Sequence, residues 1–364
     1  MKPIYIISSA CISPQHTFEA IDFLSDASIV NARNNVLYCI EPDFKQFINP
    51  VQIRRMSRAL KIGFSAAMKC INESEIKEID AIIIGTGKGC LEDTEAFLHS
   101  IKQYHESALN PTHFIHSTYN QLNGMIALNK KINSYNVTYA HRGFSFEHTL
   151  VDASLLLAEG EANHVLAGSF DEMTLEHFTV KKVWGYWKVE PIESRDLFLS
   201  KTPGTIAGEG SAFFILGNQK TKENQAFIKS IRTMYKPTAE EIAFQIDSIL
   251  QENDLLASDI DVLMLGNNGN SNQQHHDLLF ADTFLNANFL YFKHLCGEFD
   301  TASQFGFWLS MYYLFSGGRL EKQQIPNALY GPNNQHKEEK KEIKQVLFYN
   351  NYFELNQSLI LLSV

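Results

Sequence analysis

The sequence lacks any run of about eighteen uninterrupted apolar residues, so no membrane-spanning helix is expected. It is also short of basic residues. Lys and Arg number 31 against 41 Asp and Glu, and a formal net charge of -10 offers no overall positive field to draw in nucleic acid. Cysteine is scarce: Cys11, Cys39, Cys70, Cys90 and Cys296 are odd in number and far apart, with no zinc-knuckle or redox spacing, which fits a reduced, cytoplasmic protein. Lys2 and residues 3–8 have the outline of a weak signal peptide with Cys11 as a lipid-attachment residue, but the apolar run is too short and a buried first strand accounts for it better. No metal or cofactor is called for. His275, His276 with Asp277, and the scattered His113 and His116 lack the i, i+4 pairing with a further ligand that zinc enzymes use, so surface or capping roles are expected.

What is present is length and core. With 364 residues and 45% hydrophobic content the chain buries ample apolar surface, and two structural units are the natural division. The two units repeat one pattern. An amphipathic segment carrying Ile53, Met56, Leu60, Phe64, Met68 and Ile71 leads to Ile79-Asp80, a strand from Ala81 to Ile84, and Gly85. At an offset of 181 residues, after a helix opened by Thr238 and Glu241 as a capping box, come Ile260-Asp261, a strand from Val262 to Leu265, and Gly266. The same offset pairs Val165-Leu166-Ala167 with Val346-Leu347-Phe348, and each unit closes on a further strand, Ala212 to Leu216 and Ser358 to Leu362. Alternating helices and strands imply an α/β fold with helices on both faces of the sheets. Two units are expected, 1–220 and 225–364, with a site where strand ends from both converge. Residues 336–344, the strongly charged stretch, read as an exposed loop or helix before the last hairpin.

Three local motifs bear on chemistry. Gly85-Thr86-Gly87-Lys88-Gly89 follows a strand like a dinucleotide fingerprint, but it lacks the third glycine at the required interval and the lysine is not followed by Ser or Thr, so a tight structural turn is preferred. Gly208-Glu209-Gly210 permits close backbone approach beside a carboxylate. Lys293 to Glu298 ends an aromatic strand, Phe289 to Phe292, where convergent site loops would lie; on a strand the spacing of His294 and Cys296 puts both on one face, although an inert buried cysteine is the preferred reading.

In order, these segments resemble the β-ketoacyl synthases, condensing enzymes of the thiolase fold, over nearly the whole chain. The resemblance rests on Ile12-Ser13-Pro14, Arg55 to Arg58, Gly85 to Leu91, Phe114-Ile115 with Asn120, Leu166 to Ser169, and Gly204 with Gly208-Glu209-Gly210. It implies two duplicated halves layered αβαβα. It also implies a cysteine nucleophile at a helix N-terminus, two histidines, a lysine and a glycine-rich oxyanion loop. Here Gly143 stands in the cysteine position, Asn268 and Glu298 in the two histidine positions, and Lys293 is retained. The gate and oxyanion loop falls on Asn351, Tyr352 and Phe353, without its glycines.

Loss of several members of a catalytic unit leaves scaffold and binding. The resemblance therefore points to the chain-length factors, inactive subunits that pair with an active ketosynthase as a heterodimer. By the same resemblance, the helix after Gly89 and a strand before Asn120 lie at that interface, nominating Phe97, Ile101, Phe114, His116 and Tyr119 as tunnel or contact residues against the acyl or polyene chain. An acyl carrier protein is expected to dock on the partner, because an acidic surface repels an acidic carrier. An aryl-polyene or flexirubin-type pathway suits the 26 Phe and 14 Tyr, as does any large core. Two other readings stay open: a divergent acyltransferase or thioester hydrolase using Glu298, His141 or His148, and a homodimeric acyl-binding scaffold.

Overall fold

The computed structural model describes residues 2–19, 29–107, 109–273, 276–315 and 343–364; His275 and most of the charged stretch, residues 336–342, lie outside them. Among the described residues the ten strands of the main sheet are β1 (Ile4–Ile12), β2 (Ala81–Gly85), β3 (Tyr135–Tyr139), β4 (His164–Asp171), β5 (Gly210–Gly217), β6 (Phe227–Tyr235), β7 (Val262–Gly266), β8 (Asn288–Tyr291), β9 (Gln345–Tyr352) and β10 (Asn356–Ser363). The helices that matter below are α1 (Arg58–Ser74), α2 (Leu91–Tyr104), α3 (Pro111–His116), α4 (Gln121–Lys130), α5 (Ser145–Glu159), α6 (Leu175–Val183), α7 (Ala239–Glu252), α8 (Asp277–Thr283) and α9 (Ser303–Phe315).

The strands run β8-β7-β9-β10-β6-β1-β5-β4-β2-β3, two five-stranded blocks joined where Ile4 and Tyr5 of β1 pair with Ile228 and Phe227 of β6. Each block is built alike. The central pairing sets Ala81 against Val165 in one block and Val262 against Val346 in the other, the same register at the same offset. A carboxylate ties each pair: Asp80 Oδ2 accepts the N–H groups of Asn163 and His164, and Asp261 Oδ2 those of Lys344 and Gln345. The sequence repeat is thus a repeat of hydrogen bonds.

Side chains alternate across each strand, so each block has two apolar faces to cover. Ile82, Ile84, Leu166, Phe213 and Ile215 pack under α1 and α4. Their neighbours Ala81, Ile83, Val165 and Phe214 face inward onto α5, and Val262, Met264, Val346 and Phe348 share that same core with α9. Leu263, Leu265, Leu347 and Leu361 pack under α7 and α8. One core between the two sheet blocks and one on the outer face of each give five layers, αβαβα, with α5 and α9 in the middle. Helix α9 is apolar nearly all round because it is enclosed from both sides.

Three expectations need correction. The segment from Ile53 to Ile71 is not one helix: a four-residue helix, Pro50–Ile53, ends before Ser57 opens α1. The segment before Asn120 is helix, not strand; Asn110 Oδ1 accepts the Thr112 N–H and Pro111 supplies the first helical φ, together starting α3. The aromatic strand stops at Tyr291, and Lys293–Cys296 is a helical turn closed by the Gly297 N–H on the Lys293 carbonyl, with Gly297 at φ 74°. His294 therefore shares no strand face with Cys296.

Candidate active site

Loops at the C-terminal ends of the parallel strands meet between the two blocks, as an α/β sheet dictates. After β3 the chain makes an elbow in which Arg142 takes φ 47° and Gly143 leads into α5. Ser145 fixes this elbow: its Oγ accepts the His141 N–H at 2.8 Å and donates to the Thr86 carbonyl at 2.9 Å. The space above Gly143 is taken. A Cβ placed there would stand 2.6 Å from the ring of Tyr352, which is buried and donates its hydroxyl to Asp300.

Asn268, Lys293 and Glu298, three of the positions nominated by the resemblance, form one buried cluster. Lys293 Nζ lies 2.7 Å from Glu298 Oε2 and donates at 2.7 Å to the Asn351 carbonyl. Asn268 Nδ2 donates to the same Glu298 oxygen at 2.9 Å. Burial pushes the Glu298 carboxyl above its ordinary value, against the pull of the Lys293 ammonium and the Asn268 amide. Glu298 Oε1 is buried with no hydrogen bond. This is an ion pair enclosed by protein, worth little net stability when intact and costly when one partner is removed.

A second charged group, missed by the sequence reading, sits beside it. Asp171 ends β4, where Oδ1 accepts from Gly87 N and Thr86 Oγ1 at 2.9 Å and Oδ2 accepts from Thr301 N and Oγ1. The glycine-rich turn thus holds a carboxylate of its own chain. Gly87 has no room for a side chain because Asp300 presses against it. Asp171 is pushed up to about 6, by burial first and then by the Asp300 charge. For Asp300 burial also pushes upward, but Lys181, Lys88 and the Tyr352 hydroxyl outweigh it and hold the group below its ordinary value. Lys181 comes from α6, nearly buried, with its ammonium over the rings of Tyr186, Trp187 and Phe353. Phe353 packs edge-on against Tyr186 at 4.7 Å. The signal for these residues was carboxylates interrupting apolar sequence, Phe170-Asp171-Glu172 and Glu298-Phe299-Asp300.

No thiolate is poised here. Burial pushes the Cys296 thiol well above its ordinary value, outweighing Lys293. His148 is half-buried, stacked on Phe144 and next to His141, with burial and then His141 lowering its pKa. His276 is neither on the surface nor capping: it stands at the N-cap position of α8, but its side chain makes no cap hydrogen bond and is buried edge-on to Tyr349; among the described residues no group of three or more His, Cys, Asp or Glu can hold a metal ion. No helix of the described residues is long and apolar enough to cross a membrane.

The nominated contact residues gather on another face. Phe97 meets Phe114 at 5.4 Å, Tyr119 packs over Gly89, His116 lies 3.8 Å from Asp93, and Ile101 is half-buried on α2. Tyr119, Asn120 and Gly124 line one side of an open hollow of about 640 Å³, and Asn136, Val137 and Thr138 of the β3 edge, with Ala140 just after it, line the other.

Five layers built from a duplicated β-strand block, with the site at the strand ends between blocks, define a thiolase-fold protein. The chain is similar to the β-ketoacyl synthases: residues 33–184 match the family "Beta-ketoacyl synthase, N-terminal domain". No curated protein matches the chain in sequence. Solved structures match over its whole length. A chain of "The ishigamide ketosynthase/chain length factor" is 14% identical with TM-score 0.79, covering 100% of this chain and 99% of that one. A chain of the ketosynthase ApeO in complex with its chain length factor ApeC from Xenorhabdus doucetiae is 15% identical with TM-score 0.72, covering 100% and 98%. One from the type II polyketide synthase complex AntDE:AntF, an acyl-carrier protein with its ketosynthase, is 12% identical with TM-score 0.72, covering 100% and 99%. At these identities the likeness is one of fold.

Proposed function

We propose that this chain is the non-catalytic, chain-length-setting subunit of a heterodimer with an active β-ketoacyl synthase. The observation that carries the reading is Tyr352, whose ring occupies the space over Gly143 where a nucleophile and its acyl group would stand. The Lys293–Glu298 pair supports it, since both charges are spent on each other and on Asn268 and Asn351. With its own pocket filled, the chain acts by shape. Phe114 and Tyr119, both exposed, end the partner's tunnel, Tyr119 across the hollow from the open β3 edge, with Phe97, Ile101 and His116 behind them. The unpaired backbone of an edge strand and the apolar side chains around it suit a second thiolase-fold subunit. Chain length factors named in two of the similar structures support the same role, and the acyl carrier protein would dock on the synthase. A conjugated product of aryl-polyene or flexirubin type is the pathway this reading nominates, from the aromatic wall.

The test is co-expression with the synthase encoded nearest to this chain. A one-to-one complex is expected, inactive when the chain is alone, with longer products from Phe114→Ala. A stable homodimer that turns over an acyl thioester unaided, and stops with Glu298→Gln, would overturn the proposal.

A further inference from the structure

We propose that Asp93 is the positioning residue for α3, and through it for the wall that ends the acyl tunnel; this rests on the partner-subunit reading above. Helix α3 has six residues, none of them buried. A helix that short is not stable by itself, so its place depends on what grips it. Asn110 and Pro111 fix where it starts but do not seat it. The grip comes from α2. Phe97 touches Phe114, and Asp93, the one buried side chain of α2, reaches two histidines of α3: Oδ1 lies 3.0 Å from His113 Nδ1, and Oδ2 3.8 Å from His116 Nδ1. Those histidines stand at i and i+3, on one face of the helix. A single carboxylate is therefore hydrogen-bonded to His113 and within ion-pair reach of His116, one turn further on.

The opposite face carries Phe114 and Ile115, each more than half exposed. Their position is only as defined as the seat of α3. The carboxylate is the specific part of that seat: a buried acid needs polar partners, its Oδ1 finds one in His113, and its Oδ2, without a hydrogen bond, has the His116 ring as its ion-pair neighbour. Releasing it frees the turn and blurs the wall.

The experiment measures hydrogen exchange of the amides of residues 113–117 in the full chain, alone and with its synthase partner, together with the product lengths of the pair. For Asp93→Leu exchange rises at least tenfold there and not in β2 or α1, the one-to-one complex persists, and product lengths spread. Asp93→Asn, which keeps an acceptor for His113, falls between. Unchanged exchange and products in both variants, with the complex formed, would overturn the clamp and leave the subunit reading standing. If the wild-type chain forms no complex, the subunit reading falls and the clamp's role in the tunnel falls with it. If Asp93→Leu does not fold, the double variant His113→Ala with His116→Ala, which leaves no donor for the carboxylate, breaks the same contacts from their more exposed side, and unchanged exchange there is equally fatal.

Discussion

The two sheet blocks share a frame and part company at their ends. At the 181-residue offset, β4 runs out into Asp171 and Glu172, while β9 runs out into Tyr352 and Phe353. Where one block ends in acids the other ends in aromatic rings, and they meet through Asp300, which takes the Tyr352 hydroxyl and lies beside Asp171. The sheet edges differ as sharply. Strand β3 at one end leaves Tyr135 and Asn136 exposed, whereas β8 at the other is buried, with Tyr291 packed on Phe198. The frame is kept by packing; the ends are free to diverge, and the open edge is where a partner has something to gain.

The edge contrast is broken by placing a charge at each end. Phe289→Asp on β8 buries an unpaired carboxylate and lowers stability by about 3–5 kcal/mol, read by urea unfolding. Leu128→Asp, one helical turn from Gly124 of the β3 hollow and strongly exposed, leaves stability within about 0.5 kcal/mol but weakens the synthase complex at least about tenfold in a binding titration. Equal loss of stability from the two variants would mean that the edges are alike.

Much of the frame was legible in sequence because it repeats in sequence. Asp80 and Asp261, Gly85 and Gly266, and the apolar runs after them carry the register in their spacing. The capping box at Thr238 was legible for a local reason: both hydrogen bonds lie within four residues. The resemblance nominated Gly143 for the cysteine position from sequence, but nothing in the sequence pointed to the ring that packs over it, since Tyr352 is more than two hundred residues away. The charged network of Asp171, Asp300, Lys88 and Lys181 is assembled by long-range packing and leaves no spacing to read. Helix α3 was misread as strand because its apolar pair, Phe114-Ile115, is too short to show a period.

The acid end of the N-terminal block predicts a pH dependence that the aromatic end does not share. Glu172 accepts the Glu92 N–H at 3.0 Å and is pushed up to about 8, by burial first and then by the Glu92 and Glu209 carboxylates, which outweigh that bond and Arg58. Its folded value lies above its unfolded one, so the stability it contributes is full below about pH 4.5 and is lost as pH rises through about 8. In urea unfolding at pH 5 and pH 8.5 the wild type loses stability of the order of 3–5 kcal/mol through this group. Glu172→Gln removes that slope and is the more stable chain at pH 8.5. A variant with the wild-type slope would assign the pH dependence elsewhere, with Asp171→Asn the next to try.

The smallest effects test whether the two blocks are energetically alike as well as geometrically. Asp80 and Asp261 each accept two backbone N–H groups at the start of the next strand, and Asn in either place keeps an acceptor but loses the charge that strengthens both bonds. Each substitution is expected to cost about 1–2 kcal/mol. Asp261 is buried and Asp80 is half-buried, so water replaces less of what is lost at Asp261 and Asp261→Asn is the more costly of the two. A difference within about 0.5 kcal/mol, with additive effects in the double variant, means each block carries its own tie and the blocks are independent in this respect. Strong non-additivity means that the joint between β1 and β6 transmits strain from one block to the other, and the duplicated frame then behaves as one sheet.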